Sequence, residues 1–272
     1  MWVREVVSAI IPTTGRVSVV RAVESAARQT VPLDELILVL NTNSLIHEGL
    51  IDACEKAADR VPLRVIRMPS TGRPGPPRSA GLAIAASELV AFLDDDDSWL
   101  PQKTALQLAA LSRHSVGAVG NASVSSIDGT TRDYFSSMPD RISLTHLRRS
   151  NWVITSTALC NADALRRSGA FLNEPFEDYK AWARLCLLGD LDVVAEPVAS
   201  YSSGEVGRFS ELLENQVPGT APRDLTIDAT AEWVRSLRGI RMRWRASVML
   251  AITEEIRNRA SPRRCLRRKA RN

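Results

Sequence analysis

The sequence predicts an α/β protein with a mostly parallel central sheet, helices on both faces of that sheet and a helical C-terminal extension. Short runs rich in β-branched residues alternate with helical patterns over the first hundred residues. These runs are apolar almost without interruption, as expected of strands covered on both faces. The chain of 272 residues, 44% hydrophobic and 24% charged, is also long enough to bury a full-sized core.

The first half of the chain predicts four strands, each followed by a helix. The strands are expected at residues 6–11, 35–40, 63–68 and 89–93, with Pro12 closing the first. The helices are expected at residues 17–29, 46–58, 78–86 and 101–111, where apolar residues recur at helical spacing. Ligands of such sheets bind at the carboxyl ends of the strands, so the residues that follow each strand are the candidates for a site.

The second half has a less regular pattern. We expect a β-hairpin excursion with strands at residues 116–126 and 131–135, then a short helix at 143–149, a strand at 153–159, a helix at 177–188 and a strand at 191–195. The polar segment 202–222 predicts a flexible loop or lid, and residues 224–237 and 241–258 predict helices. The expected division is a domain at residues 1–222 and a basic helical extension at 223–272.

Charge is distributed unevenly along the chain. The net charge is +4, but residues 235–272 hold 13 Arg and Lys against two Glu, a net of +11. The remainder holds 22 basic and 29 acidic residues, a net of −7. The basic tail is interpreted first as a solvated helix face with a frayed end and second as a contact for an anionic membrane surface. Nucleic acid is a distant third and is not expected as a partner.

The sequence predicts a soluble, cytoplasmic protein, with peripheral contact at the inner face of the membrane as the role the tail could serve. Residues 1–12 lack the cationic-then-apolar pattern of a secretory signal, and the apolar stretch 80–93 is too short to span a bilayer. The four cysteines have no paired spacing, and the three histidines lie far apart in the sequence. Any metal is therefore expected to be Mg²⁺ or Mn²⁺, held by oxygen ligands.

Four consecutive carboxylates, Asp94 to Asp97, follow the fourth predicted strand directly. Adjacent carboxylates repel one another, and a divalent cation bridging them to a diphosphate would remove that cost. The alternative is an acidic run ahead of the next helix, where carboxylates suit the helix dipole. Upstream, Arg78 opens a predicted helix and is either a phosphate or base contact or an ordinary surface arginine.

The loop after the first strand, Pro12-Thr13-Thr14-Gly15-Arg16, offers free backbone N–H groups at a strand end. No G-x-G-x-x-G motif follows any predicted strand, and there is no P-loop. These absences argue against dinucleotide-dependent oxidoreductases and against NTPases.

Four segments occur in an order that resembles the inverting family 2 glycosyltransferases of the GT-A fold. They are residues 8–16 (SAIIPTTGR), 75–82 (GPPRSAGL), 92–101 (FLDDDDSWLP) and 176–185 (FEDYKAWARL). The resemblance covers residues 6 to about 200 and leaves the C-terminal third uncovered. It implies a GT-A nucleotide-sugar-binding and catalytic domain that uses a nucleoside diphosphate-sugar donor and a divalent metal.

The resemblance also implies roles on the donor side. Pro12, Thr13 and the region of Asn41 would surround the nucleoside, and Arg78 would contact the base or the phosphates. Asp94 would bind the ribose, Asp95 would help shape the turn, and Asp96 would hold the metal on the diphosphate. Asn41 stands where the family commonly has a carboxylate that contacts the base, which leaves the identity of the base open.

On the acceptor side, the resemblance implies that Asp178 is the general base and that Glu177 orients the acceptor. From the residues alone, a Glu-Asp pair at the start of a helix is also a common N-terminal cap. Trp152 could stack on an acceptor sugar, although core packing is the commoner role of such a residue. The family often has a metal-side histidine in the loop after the last strand; residues 201–205 contain none, and Glu205 could replace it.

These observations predict an inverting transfer of a sugar to a hydroxyl acceptor, such as a polysaccharide, a glycolipid or a secondary metabolite. Two alternatives are a nucleotidyltransferase and a non-catalytic nucleotide-binding scaffold docked through its basic tail. The loop at residues 13–16 is a poor match for a nucleotidyltransferase, which needs a phosphate-gripping loop near the N-terminus. The presence of Asp96 and Asp178 argues against a scaffold.

Overall fold

The computed structural model describes residues 6–125 and 130–201 of the chain. Within these residues, ten strands form one sheet. Their bounds are β1 Val7–Thr13, β2 Glu35–Asn41, β3 Leu63–Met68, β4 Leu89–Phe92, β5 Ser98–Trp99, β6 Ser115–Ser125, β7 Thr131–Asp133, β8 Arg141–Ile142, β9 Leu159–Asn161 and β10 Asp190–Tyr201. The predicted α/β class is confirmed.

Seven α-helices and one 3₁₀ turn connect these strands in the described part of the chain. The helices are α1 Val19–Ala27, α2 Leu50–Ala58, α3 Gly75–Ile84, α4 Lys103–Ala110, α5 Leu144–Leu147, α6 Ala162–Arg167 and α7 Glu177–Leu185. The 3₁₀ turn is Thr155–Thr157. None of the described helices is long and apolar enough to cross a membrane.

The sheet has the strand order β3-β2-β1-β4-β9-β6-β10-β5. Strands β1 to β4 are parallel, and β6 is parallel to β10. Strand β9 runs antiparallel to both β4 and β6 and joins these two parallel groups. Strands β7 and β8 pair antiparallel with β6 and β10 at the side of the main path.

The core is divided between the two faces of the sheet. In β1, Ile10 packs on one face, whereas Ala9 and Ile11 pack on the other, as the alternation of side chains along a strand requires. Helices α1 and α2 cover the face of Ala9 and Ile11, and α3, α6 and α7 cover the face of Ile10. Helices on both faces, as predicted, are confirmed.

Two expectations about strands were wrong. Pro12 does not close β1, which continues to Thr13 and pairs Pro12 with Val39 of β2. On the other side, β4 pairs only as far as Ile10, so no neighbour there requires an N–H from the proline. The last strand is longer than expected and continues past Pro197, which lies at irregularities in the pairing of β10 with β6.

The strand expected at residues 153–159 was also wrong. The chain instead forms the 3₁₀ turn, the short strand β9 and then helix α6, which the sequence analysis did not predict. The β-branched residues Val153, Ile154, Thr155 and Thr157 imitate a strand pattern. Thr157 Oγ1 donates to the carbonyl of Ile154, and such local side-chain bonds compete with strand pairing.

The predicted hairpin pairs as expected, with β6 antiparallel to β7, and its turn lies outside the described residues. Strand β6 is nevertheless no excursion, because it lies inside the sheet between β9 and β10. Strands β5 and β8, two residues each, were not predicted. The expected loop 202–222, the helices at 224–237 and 241–258, Glu205 and the boundary at residue 222 all lie outside the described residues.

Candidate active site

The predicted site residues meet at the carboxyl ends of the parallel strands. Thr13 ends β1, Asn41 ends β2, and the acidic turn, defined as Asp94 to Asp97, follows β4. The chain builds β2 and β3 on one side of β1 and then crosses to place β4 on its other side. This reversal between β1 and β4 is a topological switch point, where open α/β sheets bind their ligands.

Burial alternates along the acidic turn. Asp95 and Asp97 are buried, whereas the side chains of Asp94 and Asp96 are 32% and 30% exposed. Asp95 accepts a hydrogen bond from Thr13 Oγ1 at 2.5 Å, and Asp97 accepts one from Ser156 Oγ at 2.5 Å. Burial raises the pKa of Asp95 to about 6, against the lowering effects of Thr13 and Arg16.

The protein itself supplies three arginine side chains to this turn, and one of them, Arg21, donates from Nη2 to the backbone carbonyl of Asp96 at 2.8 Å. Arg16 Nη1 donates to Asp96 at 3.0 Å and lies 3.5 Å from Asp95, and Arg78 Nη2 donates to Asp94 at 2.5 Å. We expected a metal ion to offset the mutual repulsion of the four carboxylates. The arginine side chains offset part of this repulsion without a metal. Arg16 is half exposed, so an incoming ligand can displace it from Asp96 at low cost.

The described residues contain no group of three or more His, Cys, Asp and Glu side chains that could hold a metal ion. The partly exposed carboxylates of Asp94 and Asp96 are oxygen donors at the mouth of the site. Such donors fit Mg²⁺ or Mn²⁺, which can take their remaining ligands from phosphate oxygens and water. The donor set thus fits a metal that binds together with a diphosphate.

Arg78 lies beneath the site and is 3% exposed, which excludes the surface-arginine interpretation. Its Nη2 donates to Asp94 and its Nη1 to Glu177 at 3.1 Å, and its guanidinium lies 5.6 Å from the centroid of the Phe171 ring. The Nε has no hydrogen-bond partner among the described residues. Arg78 therefore connects the acidic turn to the start of α7.

Glu177 is largely buried against α3. A side chain on Gly75 would clash with the Leu172 carbonyl oxygen and come within 2.7 Å of Glu177 Cγ, so only glycine allows the start of α3 to lie this close to these residues. Burial, followed by the charge of Asp178, raises the pKa of Glu177 to about 7, and Arg78 acts in the opposite direction. Burial thus favours the neutral form of Glu177, and the guanidinium of Arg78 favours its charged form.

Asp178 lies in the first turn of α7, where its carboxylate has two contacts. Its Oδ1 accepts from the backbone N–H of Tyr179 at 2.7 Å, and its Oδ2 accepts from Thr155 Oγ1 at 3.3 Å. The contact with Tyr179 satisfies a free N–H of the helix start, as a capping residue does. Each oxygen keeps a second lone pair that can accept a proton.

The remaining predicted residues lie around this centre. Asn41 is buried, and its amide holds the segment after β3 by bonds with Thr71 (3.0 Å) and with the carbonyl of Arg73 (3.3 Å). Pro12 is buried and Thr14 is exposed. Trp152 is half-buried, with its ring centroid 5.3 Å from that of Phe135, and packs against the core, as its alternative interpretation holds.

Sequence reasoning missed Thr155 and Ser156. Ser156 Oγ donates to Asp97 and accepts from the backbone N–H of Asp94 at 3.1 Å, and the hydroxyl of Thr155 donates to Asp178. The available signal was a row of three hydroxyl residues, Thr155 to Thr157, after an apolar pair. Hydroxyl groups in an otherwise apolar segment need partners when buried.

The chain is similar to proteins of known class in both sequence and fold. The family model described as Glycosyl transferase family 2 matches residues 8–171. The amylovoran biosynthesis glycosyltransferase AmsE of Erwinia amylovora is 24% identical over 172 residues, which are 62% of this chain and 64% of that protein.

Two solved structures share the fold. S. aureus TarS 1-349 in complex with UDP-GlcNAc matches with a TM-score of 0.60 and 19% identity over 78% of this chain and 62% of that chain. The mannosyltransferase PcManGT from Pyrobaculum calidifontis, in complex with GDP-Man and Mn²⁺, matches with a TM-score of 0.56 and 16% identity over 93% of this chain and 81% of that chain. The matched part thus spans less than two thirds of AmsE and of TarS 1-349, and the likenesses confirm the predicted GT-A-like fold.

Proposed function

This chain belongs to glycosyl transferase family 2, and from that premise we propose that it is a metal-dependent, inverting glycosyltransferase. The donor is a nucleoside diphosphate-sugar and the acceptor carries a hydroxyl group. One observation carries the proposal: Arg78 ties a partly exposed acidic turn at the switch point of the sheet to a helix start that presents Asp178. An exposed carboxylate for a metal and a separate carboxylate for a proton are what this reaction requires.

We assign two sides to the site. The donor side comprises the carboxyl ends of β1, β2 and β4 with the acidic turn, where Asp94 binds the ribose and Asp96 the metal. Asn41 and the loop from Pro12 to Arg16 surround the nucleoside. A divalent cation held by Asp96 would neutralise the diphosphate and make it a better leaving group.

The acceptor side comprises the 3₁₀ turn and the first turn of α7. Asp178 takes the proton of the acceptor hydroxyl as the hydroxyl oxygen bonds to the anomeric carbon. The bond from that carbon to the diphosphate breaks in the same displacement, and the configuration inverts. Glu177 orients the acceptor, and Trp152, which packs on Phe135 and the core, is left out of this assignment.

The nature of the acceptor and the place of action extend the same proposal. Among the similar proteins, AmsE acts in amylovoran biosynthesis, and the two solved structures hold UDP-GlcNAc and GDP-Man. We therefore propose a polysaccharide, glycolipid or secondary-metabolite acceptor and a cytoplasmic enzyme. The +11 charge of residues 235–272 suits contact with an anionic membrane surface.

The proposal is tested by donor binding and turnover on the full chain. UDP and GDP are compared by thermal shift with and without Mn²⁺, because a ligand of the native state raises the melting temperature. Release of nucleoside diphosphate from UDP- and GDP-sugars then measures turnover. We expect one nucleotide to stabilise the protein more when Mn²⁺ is present, and chelator to abolish turnover.

The variant Asp96→Asn tests the assignment of Asp96 as the metal ligand. It should keep the fold, lose the Mn²⁺-dependent part of the shift and lose most turnover. Asp163→Asn is the matched control, because Asp163 is exposed on α6 and pairs with Arg167 of the same helix. Full activity of Asp96→Asn, or full wild-type activity in chelator, would overturn the metal assignment.

A further inference from the structure

Three consecutive buried hydroxyl side chains form the 3₁₀ turn between the two sides of the site. Thr155 is 5% exposed, and Ser156 and Thr157 are fully buried. The backbone closes the turn by bonds from Thr157 N–H to the Ile154 carbonyl and from Ala158 N–H to the Thr155 carbonyl, at 2.9 and 3.1 Å. A buried hydroxyl without a partner is costly, so the partners of these three groups report what the turn holds.

Ser156 holds the donor side. Its hydroxyl donates to Asp97 and accepts from the backbone N–H of Asp94, and it therefore contacts both ends of the acidic turn. Its carbonyl accepts from Trp99 Nε1 at 2.7 Å, which attaches the segment after the acidic turn as well. These three bonds fix the acidic turn against the 3₁₀ turn.

Thr155 holds the acceptor side. Its hydroxyl donates to Oδ2 of Asp178, while Oδ1 of the same carboxylate accepts from the backbone of α7. With both oxygens bonded, the carboxylate plane has a single orientation. Arg78 on α3 and the adjacent Glu177, which pair with each other, both interact electrostatically with this carboxylate.

Because Thr155 and Ser156 are neighbours, their Cα atoms are about 3.8 Å apart, a distance that the peptide bond holds constant. We propose that the 3₁₀ turn is a positioning element that sets the base against the bound donor, with Thr155 orienting Asp178 and Ser156 holding the acidic turn. The inference rests on the proposed glycosyl transfer, since it requires Asp178 to be the base. Displacement by about 1 Å can cost about 10²-fold in rate, so such an element has a measurable effect.

The proposal predicts that two adjacent substitutions act on different kinetic constants. Thr155→Val keeps the shape and removes the donor to Asp178, so kcat should fall about tenfold with donor affinity unchanged. Thr155→Ser keeps the hydroxyl and should recover kcat to within about threefold of wild type. Ser156→Ala should weaken nucleoside diphosphate binding about tenfold while kcat at saturating donor falls less.

Thr157→Val is the matched control. Thr157 lies in the same turn and is equally buried, but its hydroxyl donates only to the Ile154 carbonyl within the turn. It should lower the melting temperature about as much as Thr155→Val and leave kcat and donor affinity near wild type. If Thr155→Val is too unstable to purify, Thr155→Ala and Thr155→Ser give the same comparison.

A double substitution separates this inference from the proposed function. In the Asp178→Asn background, Thr155→Val should have no further effect on kcat, because the group it orients is already disabled. If Asp178→Asn lowers kcat and Thr155→Val does not, the positioning role is wrong and the glycosyl transfer stands. If Asp178→Asn itself retains full turnover, the base assignment fails first. Equal losses of kcat in Thr155→Val and Thr157→Val would also overturn the positioning role.

Discussion

The donor side and the acceptor side of this site are built by different means. Donor-side residues follow neighbouring parallel strands, whose ladders pair Pro12 with Val39 and Ile10 with Phe92. On the acceptor side, Asp178 stands on a helix start and owes its place to side-chain contacts, namely Thr155 on its own carboxylate and Arg78 on Glu177.

This difference has a physical consequence. A ladder shares the placement of a strand end such as Thr13 or Asn41 among many backbone bonds, so the loss of one side chain hardly moves that backbone. The acidic turn lies beyond the ladder of β4, and the Ser156 hydroxyl holds it in addition. A side-chain contact is a single bond, and its loss releases the group it held. Substitutions on the donor side should therefore change mainly binding, whereas substitutions on the acceptor side should change mainly kcat.

Asp178→Asn is expected to have the largest effect. A positioned base contributes about 10²–10⁴-fold, and the amide cannot take the proton, so kcat should fall by that factor. Donor affinity, measured by titration with the nucleoside diphosphate, should stay near wild type because the donor side is intact. The amide retains much of the capping ability, so stability should change little.

An interpretation of Asp178 as a cap alone predicts the reverse, a small loss of stability with near-normal kcat. That result would remove the base from Asp178 and make Glu177 the next residue to test. A parallel loss of donor affinity would contradict the independence of the two sides.

Arg78→Met should have the second largest effect, and we expect it to impair both the donor side and the acceptor side. The change leaves Asp94 and the buried Glu177 without their cation, and removal of one partner of a buried pair costs about 3–5 kcal/mol. Because Asp94 is 32% exposed and partly screened, we expect a loss of about 3 kcal/mol in the free energy of unfolding, measured by urea denaturation.

Arg64→Met is the matched control, since Arg64 is 47% exposed and pairs with Glu35 at the far end of the strands. The free energy of unfolding of Arg64→Met should fall by about 1 kcal/mol or less. Equal losses for the two variants, or an Arg78→Met protein with unchanged donor affinity and kcat, would show that Arg78 does not connect the two sides.

Lys103→Met is expected to have the smallest effect on activity and a clear effect on the pH dependence of stability. Lys103 is buried on α4; its Nζ donates to Gln107 at 2.5 Å and to the carbonyl of Ala158, the residue after the 3₁₀ turn, at 3.5 Å. Burial lowers its pKa to about 7. The unfolded chain has an ordinary lysine pKa of about 10.4 and so binds the extra proton above pH 7.

This difference in the pKa of Lys103 makes the folded protein more stable as the pH rises above 7. Above pH 7 the unfolded state binds more protons, so wild-type stability gains up to about 1.4 kcal/mol per pH unit from this group, and below pH 7 the cost of the buried ammonium is fully present. Lys103→Met should lack that gain, and kcat should be unchanged. Burial raises the pKa of Cys54 to about 11 and that of Cys160 to about 12, which lowers stability at higher pH in both proteins, so the comparison is made between pH 7 and 8.5.

Prediction from sequence succeeded where local pattern and tertiary environment agree. Strand β3 was predicted with its observed bounds, and β1, β2 and β4 to within a few residues, because apolar runs between turn residues have few other solutions. It failed at residues 153–159 and at Pro12. At residues 153–159 the bond from Thr157 to Ile154 is local, but the partners of Thr155 and Ser156 are distant in sequence. At Pro12 the outcome depends on the length of the neighbouring strand β4, which is not local either.

The sequence by itself determined the α/β class, the acidic turn after β4 and the position of Glu177 and Asp178 side by side at a helix start. Each of these depends on residues that are adjacent in the chain. Only the tertiary structure decided which arginine and which hydroxyl group contact these carboxylates. Arg78 reaches Glu177 across 99 residues and Thr155 reaches Asp178 across 23. Contacts of that kind form when separate elements pack against one another, and no periodicity in the sequence records which side chains then come within hydrogen-bonding distance.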